Sequence, residues 1–297
     1  MSSGSESVSR ASVGRTLLKL SPLLVPFVCL FLCGLVMAVG QSFGFWLPIS
    51  TAEPAGSAYL KLLEPHLLHS FLHSLRVALI SAFLSVALGG VVAYLVWRLP
   101  KGLERLAKTY KTPLVLPHIA VAFIVLVFWG QSGVFASIGH HLGLVDTVND
   151  FPNVLYGGGG AGMIMAYVFK GTPFAIILGY AVLKRLDPRL VDTARMLGAG
   201  PTTCFFRVVL PHMRPALNTA FIILFLYAFG AFDIPFLLGE SSPGMISIEA
   251  FNLYFRRDLI NRPTAMAILV CMFVFSVGFI ALYTRVASKL RERERKL

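Results

Sequence analysis

The chain has 297 residues, of which 56% are hydrophobic and 13% charged, with a formal net charge of +12 and a mean hydropathy of +0.76. Soluble domains carry roughly 25% charged residues. A chain with half that share cannot clothe a compact particle in polar surface, so the composition excludes a soluble globule and makes lipid the solvent. Each crossing needs about 20 apolar residues, so the length holds roughly six spans and leaves no room for a soluble catalytic domain.

In chain order, residues 1–20 are polar and Ser-rich, with Arg10, Arg15 and Lys19, a pattern that predicts a disordered tail. The first apolar run is Leu23 to Val39. Its end, Ala38-Val39-Gly40, faintly resembles a signal-peptidase site. The polar stretch ahead of it is long for a signal peptide, which points to an uncleaved helix. Further runs are Phe71 to Trp97, Thr112 to Trp129, Ala161 to Val182, Pro215 to Leu238 and Ala265 to Tyr283. A loop rich in Gly, Asp and Asn separates the third run from the fourth, and a basic segment over 183–214 separates the fourth from the fifth. Residues 291–297 form a charged tail.

The basic residues report orientation rather than nucleic acid. With the N-terminus inside, 20 of the 26 Lys and Arg residues fall on the cytoplasmic side. Positive residues are retained inside, so both termini are expected in the cytoplasm, which requires an even number of spans. The cysteines Cys29, Cys33, Cys204 and Cys271 form no CxxC pair or metal spacing and read as small hydrophobes.

The stretch Leu186 to Pro201 is the most informative. Asp187-Pro188 is a helix start, because a carboxylate caps free N–H groups and Pro suits the first turn. Leu190, Ala194 and Leu197 share a face, and Gly198 is a natural stop. Pro201 opens a second short helix that runs to Pro211. Two short helices at a tight turn suit docking onto a soluble partner, or resting on lipid headgroups.

This segment resembles the binding-protein-dependent ABC permeases. They carry Glu-Ala-Ala, three residues, Gly, then an apolar run closing on Leu-Pro. Here the residues are Asp192-Thr193-Ala194, then Arg195 to Leu197, Gly198, and Val208-Val209-Leu210-Pro211. Asp replaces Glu at 192 and Thr replaces Ala at 193. The likeness extends from the second run to the end. It implies an all-α fold of six transmembrane helices, the type I importer permease fold, in a bacterial inner membrane. It also implies that Asp192, Thr193, Ala194, Arg195, Gly198, Leu210 and Pro211 couple to a separate ATPase dimer. ATP and Mg would then bind that partner, not this chain. A second permease, a different chain or another copy, and an extracytoplasmic substrate-binding protein are implied partners. No Gly-Lys-Ser or Gly-Lys-Thr phosphate loop occurs in the sequence. Gly157, Gly159 and Gly162 satisfy GxGxxG but follow no strand and read as flexible loop.

Charges inside a membrane cost roughly 2.5–3.5 kcal/mol on insertion scales, so they mark cavities or partners. Candidate pathway residues are Arg76, near the end of the second run; Lys170 and Pro173, on either side of Gly171-Thr172; and Phe229 and Asp233, on either side of Gly230-Ala231-Phe232. Pro173 is expected to break its helix and free carbonyls beside Lys170. A Lys170–Asp233 ion pair is the competing use of both charges. Phe229 belongs to a stripe with Phe221, Phe225 and Phe232 that is read mainly as helix packing. His66, His69, His73 and His118 are read as structural rather than as metal ligands. Residues 232–239 and the following loop look most like the polyamine-type branch, which also imports anions, phosphonates, thiamine and ferric iron. The rival reading is a self-contained, ion-gradient-driven transporter. It predicts intramembrane acids in repeated halves, and no convincing repeat is present. A membrane enzyme would need a clustered nucleophile and base or an HExxH motif, and the sequence has neither.

Overall fold

The computed structural model describes residues 4–47, 54–100, 108–240 and 242–294, with side chains between 18 and 289. Lys101, Arg105, Arg295 and Lys296 of the charge count lie outside the described residues. Six segments are long and apolar enough to cross a membrane: Leu18–Ser42, Pro65–Arg98, His118–His141, Ala161–Leu183, Pro201–Gly230 and Leu259–Lys289.

Helix α1 (Gly4–Ser42) already includes the polar stretch that was expected to be disordered. Extending an existing helix avoids the cost of nucleation, so the apolar span carries its polar lead into helix. Packed along the last helix, α1 leaves Leu23, Phe27 and Leu30 exposed, as a lipid-facing helix must. A short α2 (Ser57–Lys61) leads to α3 (Pro65–Arg98). Pro65 sits in the first turn of α3, and Leu99, which precedes Pro100, is extended and ends it.

The third span is broken. Helix α4 (Thr112–Val115) stops where Leu116, ahead of Pro117, takes ψ 136. Helix α5 (His118–Trp129) then begins with Pro117 at its cap, and α6 (Val134–His141) follows a turn at Gly130–Gly133. The fourth span, α7 (Ala161–Leu183), runs unbroken through Pro173, contrary to the expected break. Pro173 is buried, and Thr172 Oγ1 donates to the Val168 carbonyl at 2.7 Å. Neighbouring helices and such hydroxyls let membrane helices keep proline.

Helix α8 (Arg189–Met196) is the short helix after α7. The second short helix is not separate from the fifth span. Helix α9 (Pro201–Cys204) passes through a π turn at Phe205–Val209 directly into α10 (Leu210–Gly230). The π register is where the chain accommodates Pro211, which has no N–H to give. Helices α11 (Asp233–Leu238), α12 (Ile246–Phe251) and α13 (Arg262–Glu294) complete the chain.

The heart of the bundle is the contact of α3 with α7. Small residues meet along its length. A Cβ on Gly89 would lie 2.4 Å from Ala175 Cβ, one on Gly171 would lie 2.7 Å from Ser85 Oγ, and one on Gly179 would lie 3.3 Å from Ala93 Cβ. Small residues let backbones approach, which is what holds helices together in lipid. Phe229 lies in the aromatic core of the bundle. It is buried, edge-on to Phe71 at 5.6 Å and stacked on Phe225 at 6.0 Å, with Phe275 at 5.1 Å.

Gly89→Val is expected to force α3 from α7 at a cost of about 1–3 kcal/mol, read as a lower thermal midpoint in detergent. Gly278→Ala, where an added Cβ meets nothing within 4 Å, is expected to leave the midpoint unchanged. Equal midpoints would refute the close approach.

Candidate functional site

The break at Leu116-Pro117 strips α4 of hydrogen-bond donors for its last carbonyls. Lys170, reaching across from α7, supplies them. Its Nζ donates to the Pro113 carbonyl at 2.8 Å, to the Leu114 carbonyl at 3.1 Å, and to the Leu116 carbonyl. An ammonium offers one N–H donor to each of the three acceptors. The carbonyls beside Lys170 therefore come from Pro117 on the third span, not from Pro173 on its own helix. No ion pair joins Lys170 to Asp233 among the described residues.

Beside this clasp lies a cavity of about 270 Å³ between α3, α4, α5, α7 and α10. Its polar lining is Ser81 and Ser85 from α3, His118 from α5, Tyr167 and Lys170 from α7, and Tyr227 from α10. Leu114, Phe174, Ile223 and Leu224 supply apolar wall. The His118 and Tyr227 rings lie 4.8 Å apart, and Tyr167 meets Tyr227 edge-on at 6.2 Å. The parallel course of α3 and α7 sets Ser81 and Ser85 opposite Tyr167 and Gly171. His118, Ser81, Tyr167 and Tyr227 were not singled out as pathway residues from the sequence. The only signal was His118 directly after Pro117, at a helix start.

Asp233 opens α11 after the break at Ala231-Phe232, and it is exposed. Its carboxylate lies within electrostatic range of His118, Tyr167 and Tyr227 but does not line the cavity. Nearby loops are pinned. Glu240 Oε1 accepts from the Gly160 amide at 3.3 Å, and Tyr156 OH donates to the Leu237 carbonyl at 3.3 Å. Thr147 donates from its amide and hydroxyl to Asp150 at 2.7 and 2.9 Å, holding that carboxyl below the usual carboxylate range. Arg76 is exposed on α3.

At the opposite end of α7 lies a capped turn. Asp187 Oδ1 accepts from the Arg189 amide at 3.0 Å and starts α8. Gly198 stops it at φ +84, with Gly198 N–H to the Arg195 carbonyl at 2.9 Å and Ala199 N–H to the Ala194 carbonyl at 3.0 Å. This double bond around a left-handed residue is a Schellman motif, and glycine takes that φ without strain. Asp192, Thr193, Arg195 and Gly198 are exposed, Ala194 is half-buried, and Arg195 meets Asp192 at 3.9 Å. Met196 and Leu197 are 88% and 84% exposed, while Val191 is buried against Cys204 and Val209. Leu210 packs against the same cluster, and Pro211 is exposed.

A bundle of membrane-long helices around a largely apolar cavity with a few polar side chains, carrying an exposed apolar turn at one end, suits a membrane transport subunit. The family "Binding-protein-dependent transport system inner membrane component" matches residues 85–292, and the chain belongs to it. Its relatives are ABC importer permeases. The molybdenum transport system permease protein ModB of Azotobacter vinelandii is 26% identical over 76% of this chain and 96% of its own length. The spermidine/putrescine permease PotB of Escherichia coli (strain K12) is 26% identical over 66% of this chain and 71% of its own. A probable sulfate permease, cysT of Marchantia polymorpha, is 23% identical over 80% of each chain. A crystal structure of a bacterial ABC transporter that imports alginate shares the fold, with TM-score 0.73 and 17% identity over 94% of this chain and 98% of that one.

Lys170→Met removes the donor for three carbonyls inside the bundle. Unsatisfied buried groups cost roughly 1–3 kcal/mol, so the thermal midpoint in detergent is expected to fall by about 5 °C or more. Asp233→Asn, at an exposed position, is expected to leave it unchanged. A Lys170→Met midpoint equal to wild type would remove the clasp from the account.

Proposed function

We propose that this chain forms half of the translocation pathway of an ATP-driven importer and that the Asp187–Gly198 turn seats in a cleft of a separate ATPase. The observation that carries the proposal is the exposure of Met196 and Leu197 on a turn held at both ends. Apolar side chains on a rigid projection suit a groove on a soluble partner better than open water. Asp192 and Arg195 would flank that contact, and Thr193 and Ala194 would fill it. Gly198 would set the angle of the turn, and Leu210-Pro211 would pass its displacement into α10.

ATP binding closes the ATPase pair and drives the two coupling turns together, which switches the bundle from inward- to outward-facing. ATP and Mg are held by the partner. A second permease, either a homologous chain or another copy, completes the pathway, and an extracytoplasmic binding protein delivers the solute. Both termini and the turn are cytoplasmic in this reading, which the Lys and Arg distribution supports, and the membrane is a bacterial inner membrane. The solute is small and polar. Relatives named for molybdenum, spermidine/putrescine and sulfate span both signs of charge, so the polyamine-like reading stands beside anion, phosphonate, thiamine and ferric iron.

Asp192→Lys and Gly198→Val are each expected to reduce ATP-driven uptake by the assembled importer to background while the protein still inserts. Gly198→Val places a branched side chain at positive φ, at a cost of order 1–3 kcal/mol. Normal uptake by both variants would exclude the coupling role.

A further inference from the structure

Ser81 and Tyr167 are 1% and 4% exposed. Both line the cavity beside Lys170, and Ser81 Oγ and Tyr167 OH have no hydrogen-bond partner among the described residues. Unsatisfied buried polar groups are rare, and those that persist call for an explanation such as a ligand. Hydroxyls donate as readily as they accept, so these two do not choose the sign of that ligand.

The charges choose it. Lys170 carries the positive charge on the wall, and among the described residues no carboxylate lines the cavity. The three groups that bind its ammonium are uncharged carbonyls, which orient it without neutralising it. His118 adds a ring that can donate N–H from the start of α5. Asp233 is the acid in electrostatic reach, acting on His118, Tyr167 and Tyr227 from outside the lining. In a low-dielectric bundle an uncompensated positive charge beside free hydroxyls attracts anions and repels cations. The cavity's 270 Å³ far exceeds the ~10–15 Å³ that one water requires, so an ion fits with water around it.

We propose that this cavity is an oxyanion subsite of the pathway. It takes the carboxylate, phosphonate or tetrahedral oxyanion group of the transported solute, with Ser81 and Tyr167 donating hydrogen bonds and Lys170 supplying the field. The proposal rests on the permease reading and narrows it to anionic or zwitterionic cargo.

The test uses Ser81→Cys, and separately Ile223→Cys on the apolar wall, with Cys29, Cys33, Cys204 and Cys271 replaced by Ala. The chain is reconstituted with its co-purifying partners in phosphatidylcholine vesicles. Labelling rates are measured with an anionic methanethiosulfonate (ethylsulfonate) and a cationic one (ethyltrimethylammonium), each normalised to its rate with free 2-mercaptoethanol. The anionic reagent is expected to win by roughly tenfold at both positions. Lys170→Gln is expected to bring the ratio close to one, and methylphosphonate or sulfate to slow labelling in wild-type background. A cationic preference, equal rates, or labelling only by neutral methyl methanethiosulfonate would each overturn the proposal. So would no labelling at all, which would mean that the cavity is shut to solutes. Slowing by added phosphatidylglycerol but not by either free anion would assign the site to lipid headgroups and overturn it as well. Failure of any partner to co-purify would strike the permease reading instead, independently of the labelling ratio.

Discussion

One ammonium group decides the middle of this molecule. A bilayer offers no water to a carbonyl, so any break in a membrane helix must find donors in the protein. The third span breaks at Leu116-Pro117, and Lys170 from the fourth span answers for the Pro113, Leu114 and Leu116 carbonyls. The exchange has three consequences. It fastens the third span to the fourth, it allows α5 to begin inside the bundle with His118 at its head, and it holds a positive charge on the wall of a cavity. An intramembrane lysine that pairs only with carbonyls keeps its charge available to whatever enters.

The rest of the bundle acts as the frame for that clasp. Helices α3 and α7 run side by side with Gly89, Gly171 and Gly179 at closest approach, which leaves little room for independent movement. Farther along, Ala93, Ile176, Val191, Cys204, Val209 and Met213 form one buried cluster shared by α3, α7, α8, α9 and α10. Packed interiors transmit displacement rather than absorb it. Val191 ties α8 into this cluster with the helices that wall the cavity, and the chain changes register into α10 at the π turn Phe205–Val209.

The parts of this architecture written in local sequence were legible there. Apolar runs gave the six spans because hydropathy is a local quantity. Asp187-Pro188 and Gly198 gave the start and stop of α8 because caps act within a turn of the chain. Reasoning failed where distant segments decide the outcome. Pro173 looked like the break beside Lys170, yet α7 absorbs it and the break that matters is Pro117, more than fifty residues earlier. Phe229 packs among Phe71, Phe225 and Phe275, while Tyr227 on the same helix lines the cavity. Ser81 and Tyr167 carry no sequence signal at all. Their hydroxyls stand out only because the fold buries them without partners on a common cavity.

The central claim is that this bundle moves solute only when a separate ATPase drives it. The most direct measurement is uptake into proteoliposomes holding the purified complex, with ATP supplied on the side of the Asp187–Gly198 turn and with ion gradients collapsed by ionophores. The account predicts uptake that requires ATP on that side and is indifferent to the ionophores. Uptake without ATP that disappears when the ion gradients are collapsed would contradict it.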